Sequence, residues 1–193
     1  MRKVLWLAAL APLFLASTGH ASAQNGQNAP SDHNDPYVHG PAGEARLIQE
    51  VRHQLVMLPY YTIFDDLGFR VQGSTITLVG AVTNPVLKSS AQNVVKSVEG
   101  VSQVINQIKV LPVSDFDWQI RRAMARTIYG DPQIGTRYGY QALPSIHIIV
   151  ENGHVTLEGV VGNTFDKNLI GIRANSVPNV FSVTNNLQVE KTS

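Results

Sequence analysis

A gapless internal repeat is the sequence feature that most limits what this chain can fold into. Residues 71–110 align with residues 150–189 at a constant offset of 79, and 13 of the 40 aligned positions are identical. Shared glycines such as Gly80 and Gly159 lie among alternating apolar and polar residues, which is typical of strands and their turns. We therefore expect two copies of one small module.

The repeat extends upstream into a helical pattern with an offset of 73. Four positions of the first copy match four of the second, namely Leu47, Val51, Leu55 and Pro59 with Ile120, Met124, Ile128 and Pro132. Apolar residues at this spacing predict an amphipathic helix. Because the offset rises from 73 to 79, the second copy must hold six additional residues between Gln133 and Ser145.

Each copy is predicted to run helix, hairpin, helix, strand. Asn152-Gly153 is a two-residue hairpin turn, Asn84-Pro85 begins a helix with a cap and a first-turn proline, and Gly100 ends that helix. A strand that follows its neighbour through a helix lies parallel to it. The predicted fold class is α+β, with two tandem modules that are each a three-stranded mixed sheet covered by two helices.

Two asparagine positions are predicted to serve the scaffold. Asn106 and Asn185 share the apolar side of the last strand, where an amide needs hydrogen-bond partners, so we expect each to tie its strand to a neighbouring loop. Asn179 stands where the first copy has Gly100. Asparagine tolerates a left-handed turn better than other residues with a side chain, so the turn is expected to survive.

The first 23 residues have the composition of a secretory signal peptide. Arg2 and Lys3 precede an apolar run that is too short to span a bilayer, and Ala21-Ser22-Ala23 supplies a cleavage site. We expect cleavage after Ala23 and a periplasmic protein. The expected parts are a signal peptide (1–23), a disordered leader (24–41), a first domain (42–112) and a second domain (113–190).

Charge and cysteine content exclude several classes of function. Loss of Arg2 and Lys3 leaves 13 of the 15 basic residues against 14 acidic ones, which argues against a nucleic-acid partner. The chain has no cysteine, which excludes thiol catalysis and thiolate metal sites. No cofactor is expected.

The repeated motifs resemble those of the BON domain family, named after bacterial osmotic-stress and nodulation proteins. They are Thr77-Leu78-x-Gly80-x-Val82-x-Asn84 with Thr156-Leu157-x-Gly159-x-Val161-x-Asn163, and Val101-x-x-Val104-x-Asn106 with Val180-x-x-Val183-x-Asn185. The resemblance covers nearly all of the chain after the leader. It implies a periplasmic or envelope-associated module that binds phospholipids or other hydrophobic ligands, is connected with osmotic and envelope stress, and is not an enzyme.

Catalytic and metal-binding patterns are weak in this sequence. His147 and His154 lack a carboxylate at ligand spacing, so no metal site is predicted. Asp65-Asp66 resembles a pair of catalytic carboxylates, but a solvated loop is the better interpretation. No catalytic residue is predicted.

The first helix of copy two and the loop after it are the predicted lipid-binding surface. Its members are aromatic residues and arginines, namely Trp118, Arg121, Arg122, Arg126, Tyr129, Arg137 and Tyr138. Aromatic rings at headgroup depth beside arginines that pair with phosphates suit an anionic bilayer surface. The alternative is that Trp118 packs against copy one and the arginines form an ordinary solvated face.

The second helix of copy two carries an additional apolar stripe of Phe165, Leu169 and Ile172. An extra apolar stripe indicates burial against something, and we expect the partner copy to cover it. A lipid or another protein is the alternative.

These features favour a non-enzymatic periplasmic protein that docks peripherally on anionic phospholipid through its second domain and supports the envelope under osmotic stress. One alternative is an interaction or chaperone-like module that holds other envelope proteins. Another is a binder of cell-wall polysaccharide.

Overall fold

The computed structural model describes residues 5–6, 41–141 and 145–190. The elements of the first part of the chain are β1 (Leu5–Trp6), α1 (Pro41–Val56), β2 (Asp66–Gln72), β3 (Thr75–Val82), α2 (Pro85–Lys96), β4 (Gln103–Asn106) and β5 (Lys109–Val110). The second part contains α3 (Asp115–Tyr129), α4 (Pro132–Tyr138), β6 (Ile146–Glu151), β7 (His154–Val161), α5 (Thr164–Asn175), β8 (Ser182–Asn185) and β9 (Gln188–Val189).

Each module has the predicted mixed sheet. β2 and β3 form an antiparallel hairpin, and β4 and β5 lie parallel to β3. β6, β7, β8 and β9 repeat this arrangement. The tandem α+β fold class is therefore confirmed, with the last strand of each module divided into two short pieces. In the first module, β1 adds an outer antiparallel strand beside β2.

The two predicted asparagines produce the break in the last strand. The Asn106 side chain donates to Lys88 O at 2.8 Å and accepts from Ile108 N at 3.1 Å. Asn185 makes the equivalent bonds, to Lys167 O at 2.9 Å and from Leu187 N at 3.2 Å. Their structural role is confirmed, although the partner is a helix carbonyl rather than the expected loop.

Turns follow the sequence pattern closely. Asn152 and Gly153 have φ values of 51° and 80°, which are the left-handed conformations of a tight hairpin turn. Asn179 adopts φ 65° and Gly100 φ 89°, so asparagine does replace glycine after the helix.

A close approach between strands explains one shared glycine. Gly80 has φ 115°, and a Cβ there would lie 2.2 Å from Asp66 O. Gly159 has φ 119° and the same conflict, at 2.1 Å from Ser145 O. A side chain at either position would push the two hairpin strands apart.

Each module has its own apolar core between its sheet and its helices. The predicted helix stripes are buried there, with Leu87, Ala91 and Val95 on α2 and Met124 and Ile128 on α3. The helices thus cover one face of each sheet, as expected. The six additional residues fall beside α4, which is a helix where the sequence suggested a loop.

The predicted cleavage site and most of the leader lie outside the described residues. β1, however, belongs to the predicted signal peptide and pairs with Gly68 and Phe69 of β2. Among the described residues, none of the helices is both long and apolar enough to cross a membrane.

Candidate functional site

Arg121 lies inside the protein, which corrects its place among the predicted lipid contacts. Its side chain is buried and donates to Val150 O at 2.6 Å. The guanidinium carbon lies 5.2 Å from the centre of the Trp118 ring. Burial lowers the pKa of Arg121, while the nearby charges of Asp117 and Asp65 raise it. Arg121 thus holds α3 against β6.

Asp117 shows why α3 presents polar groups to the sheet. Ser114 caps the helix by accepting from Asp117 N at 3.2 Å. The Asp117 carboxylate then accepts from Asn152 N at 2.9 Å and Gly153 N at 2.8 Å. On the buried face of α3, the Asp117 carboxylate therefore holds the β6–β7 turn, and the Arg121 guanidinium holds the β6 backbone.

Tyr138 and Tyr129 also belong to the interior of the module. The Tyr138 hydroxyl donates to Asp166 Oδ2 at 2.6 Å and accepts from Gly162 N at 2.8 Å. The Tyr129 hydroxyl donates to Ile146 O at 2.8 Å. Burial raises the pKa of both tyrosines. Both tyrosines, predicted as lipid contacts, therefore have their hydroxyl groups engaged in hydrogen bonds within the module.

Arg137 is exposed, but its charge is already compensated. Its guanidinium pairs with the carboxylate of Asp166, and this contact raises the pKa of Arg137. Asp166 also accepts from Tyr138, so α4 and the start of α5 are joined by one ionic network. Arg137 is a poor candidate for a free phosphate contact.

Arg122 and Arg126 are the predicted arginines that remain exposed and face a common space. They line a groove of ≈ 460 Å³ between α3 and the turn at Pro178 and Asn179, with Phe116 at one end. We call this the arginine groove. Two cations one helical turn apart, beside a concave surface, can bind one or two phosphate oxygens.

An exposed aromatic pair at the end of the β6–β7 hairpin was missed by the sequence analysis. The Phe116 and Phe181 rings lie 5.9 Å apart and enclose Gly153, where a Cβ would lie 2.7 Å from Phe181. Phe181 is 69% exposed. We call Phe116 and Phe181 the aromatic tip. The sequence did offer one signal for this pair, namely the predicted parallel pairing of β7 with β8. This pairing sets Ser182 beside His154 and so brings Phe181, the preceding residue, to the hairpin turn.

Trp118 joins the two modules, as the alternative interpretation held. Its ring contacts Phe64 edge to face, with centroids 5.6 Å apart, yet 38% of the residue stays exposed. Trp118 therefore contributes to the contact between the modules and stays partly exposed.

The apolar stripe on α5 is not covered by the first module. Phe165 is 63% exposed and Ile172 67%, whereas Leu169 packs partly against its own core. The expectation that the partner copy buries this stripe is wrong. The modules meet instead along the outer edge of β6, where Ile148 N donates to Ile63 O at 2.7 Å.

Asp65 and Asp66 are buried, so the interpretation as a solvated loop is also wrong. Thr62 and Thr83 each donate a backbone N–H and a hydroxyl to the Asp65 carboxylate, at 2.7–3.0 Å. Burial, followed by the charge of Glu158, raises the pKa of Asp66 to about 7.

The histidines and carboxylates of the described residues bear on the question of a metal site. Among the described residues, no group of three or more His, Asp or Glu side chains is arranged to hold a metal ion. His147 is buried and its ring lies 5.5 Å from that of Tyr61 in the first module. His154 is exposed and lies beside Phe181.

The described residues form two copies of one small α+β module. The BON domain family model matches residues 44–112 and 133–191. The chain belongs to the BON domain family. BON domains are generally non-enzymatic and typical of periplasmic and envelope proteins. The second match begins after α3, the helix that carries the arginine groove.

Two solved structures show a distant similarity. One is CdsD, a structural protein of the type III secretion system of Chlamydia trachomatis, with 13% identity, a TM-score of 0.31, and coverage of 77% of this chain and 94% of that chain. The other is the C-terminal domain of CdsD, with 14% identity, a TM-score of 0.30, and coverage of 75% and 98%. A search of the curated proteins found no match.

Proposed function

We propose that this protein is a non-enzymatic envelope protein whose second module docks peripherally on anionic phospholipid surfaces. The observation that carries the proposal is that the aromatic tip adjoins the arginine groove. Phe116 belongs to both, so the exposed rings lie beside Arg122 and Arg126. Rings inserted at headgroup depth beside arginines that pair with phosphates are a common means of interfacial docking.

The first module lacks this combination at equivalent positions. The repeat offsets align Phe116 with Gly43 and Phe181 with Ser102, and they align Arg122 with Gln49. At these positions the two modules share the first helix and the hairpin, so the difference there lies in the side chains. Docking is therefore assigned to the second module.

The expected affinity is modest and reversible. Each arginine near an anionic surface contributes about 1 kcal/mol, and each largely inserted phenylalanine about 1.5–3 kcal/mol. Two of each sum to about 5–8 kcal/mol before the cost of association, which corresponds to dissociation constants from about 200 μM to about 1 μM at best. This range fits a peripheral protein that exchanges between membrane and solution.

Vesicle co-sedimentation tests the proposal. We expect binding to vesicles that contain phosphatidylglycerol, weaker binding to phosphatidylcholine alone, and loss of binding at high salt. The variant Arg122→Glu with Arg126→Glu should remove it. Lys88→Glu with Lys96→Glu changes the charge equally on α2 and should retain most binding. Equal binding to both vesicle types, or by both variants, would contradict the proposal.

Export to the periplasm is part of the same proposal. Cleavage after Ala23 predicts a periplasmic protein that begins at Gln24. Cell fractionation with mass measurement of the N-terminal peptide tests this. A full-length protein retained in the cytoplasm would rule it out.

The exposed α5 stripe favours a second candidate, an interaction or chaperone-like role toward other envelope proteins. Phe165→Asp should then reduce suppression of client aggregation while lipid binding persists. Val86→Asp is the matched control, because Val86 aligns with Phe165 and is also exposed. Binding to cell-wall polysaccharide, the remaining alternative, is tested by a cell-wall pull-down with the same variants.

A further inference from the structure

The outer edge of β6 is closed by other parts of the same chain. Because a two-residue turn joins β6 to β7, alternate residues of β6 bond to β7 and the others face outward. The outward backbone groups have partners, namely Ile146 O with the Tyr129 hydroxyl, Ile148 N with Ile63 O, and Val150 O with the Arg121 guanidinium. We call Arg121 and Tyr129, both on α3, the edge donors of β6.

The equivalent edge of the first module, on β2, lacks edge donors. Phe69 and Val71 align with Ile148 and Val150 of β6, and the same two-residue turn geometry sets their backbone groups outward. The helix positions aligned with the edge donors hold Ile48 and Val56. Their apolar side chains cannot donate to a carbonyl, so α1 leaves the edge of β2 unprotected.

The strand β1 shows which kind of segment fits this edge. It lies antiparallel to β2, with Leu5 opposite Phe69 and Trp6 opposite Gly68. An aromatic residue across from a strand glycine fills the space that the glycine leaves. Both residues of β1 belong to the predicted signal peptide, so the proposed cleavage removes them. An open edge without proline or lysine, such as β2, is a template for strand addition.

Arg70 adds a charge to the recognition of such a strand. Its Nε atom is buried and has no hydrogen-bond partner in the described part of the chain. The ion pairs found among the described residues do not include it. In the register of β1, Arg70 stands opposite the residue two positions before the aromatic one. A carboxylate at that position would pair with Arg70 across the strands.

We propose that the outer edge of β2 binds an extended apolar segment of a partner protein, added antiparallel as a further strand. The recognised segment has an acidic residue opposite Arg70, an apolar residue opposite Phe69 and an aromatic residue opposite Gly68. The proposal rests on the proposed removal of the signal peptide. It does not depend on lipid docking, which is assigned to the second module.

A labelled peptide tests the edge by fluorescence anisotropy. The protein is the chain that begins at Gln24, which retains both described cores, since Leu47 is their first residue. The peptide is Lys-Glu-Leu-Trp-Leu-Ala, which is residues 3–8 of this chain with Val4→Glu. A second peptide carries N-methyl-leucine in place of the first leucine, so it lacks only the N–H that donates to Phe69 O. We expect the second peptide to bind about tenfold more weakly.

A charge reversal tests the register. The chain with the native Arg70 should prefer the peptide above over Lys-Lys-Leu-Trp-Leu-Ala by about threefold, and Arg70→Glu should reverse the preference. Lys96→Glu, an exposed charge change on α2, is the matched control and should keep the native preference. Far-UV circular dichroism checks that each variant is folded. If Arg70→Glu does not fold, the two peptides of the first experiment still decide.

Three results would overturn the proposal. They are no binding of the first peptide, equal binding of the N-methylated peptide, and a mass of the protein alone near twice that of one chain, which would make a second copy the occupant of the edge. Arg70→Glu should leave vesicle sedimentation unchanged, so a failure here is separate from a failure of lipid docking. A retained signal peptide in cells would contradict export, whereas the chain that begins at Gln24 tests the edge by itself.

Discussion

The two modules satisfy the same backbone group by different means. The N–H of Thr83 donates to the Asp65 carboxylate, whereas the aligned N–H of Gly162 donates to the Tyr138 hydroxyl. The fold requires a partner at the end of the hairpin in both copies. The segment before the hairpin decides which side chain supplies it, and α4 brings a tyrosine in the second copy. The same backbone N–H is thus hydrogen-bonded in both copies, but the side chain that accepts from it differs.

The hairpin ends show the larger divergence. In the first module, Ser74 and Ser102 share a hydroxyl hydrogen bond of 2.6 Å. In the second, the aromatic tip encloses Gly153, the residue aligned with Ser74. Where the first module has a hydrogen bond between two hydroxyl groups, the second module exposes two apolar rings. Exposed apolar surface lowers solubility unless a partner binds there. The two modules therefore share their strands and differ at the hairpin end, where the proposed docking surface lies.

The largest expected effect is a loss of stability, and it tests whether the two modules share the same backbone constraint in their hairpins. Gly80→Ala and Gly159→Ala should each destabilise the protein by about 3 kcal/mol, because both combine a left-handed backbone with a collision against a strand carbonyl. Urea unfolding measures both. A cost below about 1 kcal/mol in one module alone would show that the modules do not share this constraint.

The next effect separates the two neighbouring arginines of α3. Arg121→Ala should cost about 2–3 kcal/mol, because it removes a buried charged hydrogen bond to Val150 O. Arg122→Ala, on the exposed face, should change stability by less than about 0.5 kcal/mol. Thermal unfolding decides between them. Equal costs would mean that Arg121 is not the internal anchor of the second module.

A smaller effect is expected at the paired asparagines. Asn106→Ala and Asn185→Ala should each cost about 1–2 kcal/mol, since each removes one bond to a helix carbonyl and one from a backbone N–H in the break between the two strand pieces. Asn106 also donates to Gln92 at 3.1 Å, whereas Gly171 takes that place in the second module. Hydrogen exchange at Ile108 and Leu187 reports each bond separately. Unchanged protection at either amide would show that the corresponding asparagine does not stabilise the strand.

The smallest effect on stability should accompany a large effect on binding. Phe181→Ser gives the second module the residue found at Ser102, and with Phe116→Ser it removes the aromatic tip. Stability should fall by less than about 1 kcal/mol, because both rings are exposed. Sedimentation with phosphatidylglycerol vesicles should fall strongly. Unaltered sedimentation would show that the aromatic tip is not part of the docking surface.

Much of the scaffold could be predicted, because it depends on neighbours in sequence. The Asn152-Gly153 turn, the Asn84 cap and the left-handed Asn179 all involve contacts within a few residues, and all are found. The site was harder to predict. Arg122 and Arg126 are exposed, as a surface contact requires, but Arg121, Tyr129 and Tyr138 were predicted as lipid contacts and instead make hydrogen bonds within the module.

Arg121 illustrates the physical reason. It lies on the same side of α3 as Asp117 and Met124, so helical spacing alone sets it toward the sheet. Whether a guanidinium can stay there depends on a carbonyl 29 residues away and on carboxylates from two modules. The sequence contains these groups without showing that they meet.

The repeat, the order of the elements and the turns follow from local pattern, because spacing and backbone preference act within a few residues. The tertiary structure alone decided which polar groups are buried, how the modules meet at β6, and that the α5 stripe stays exposed. Burial of a charge is a property of its whole surroundings, and those surroundings are assembled from residues far apart in the chain.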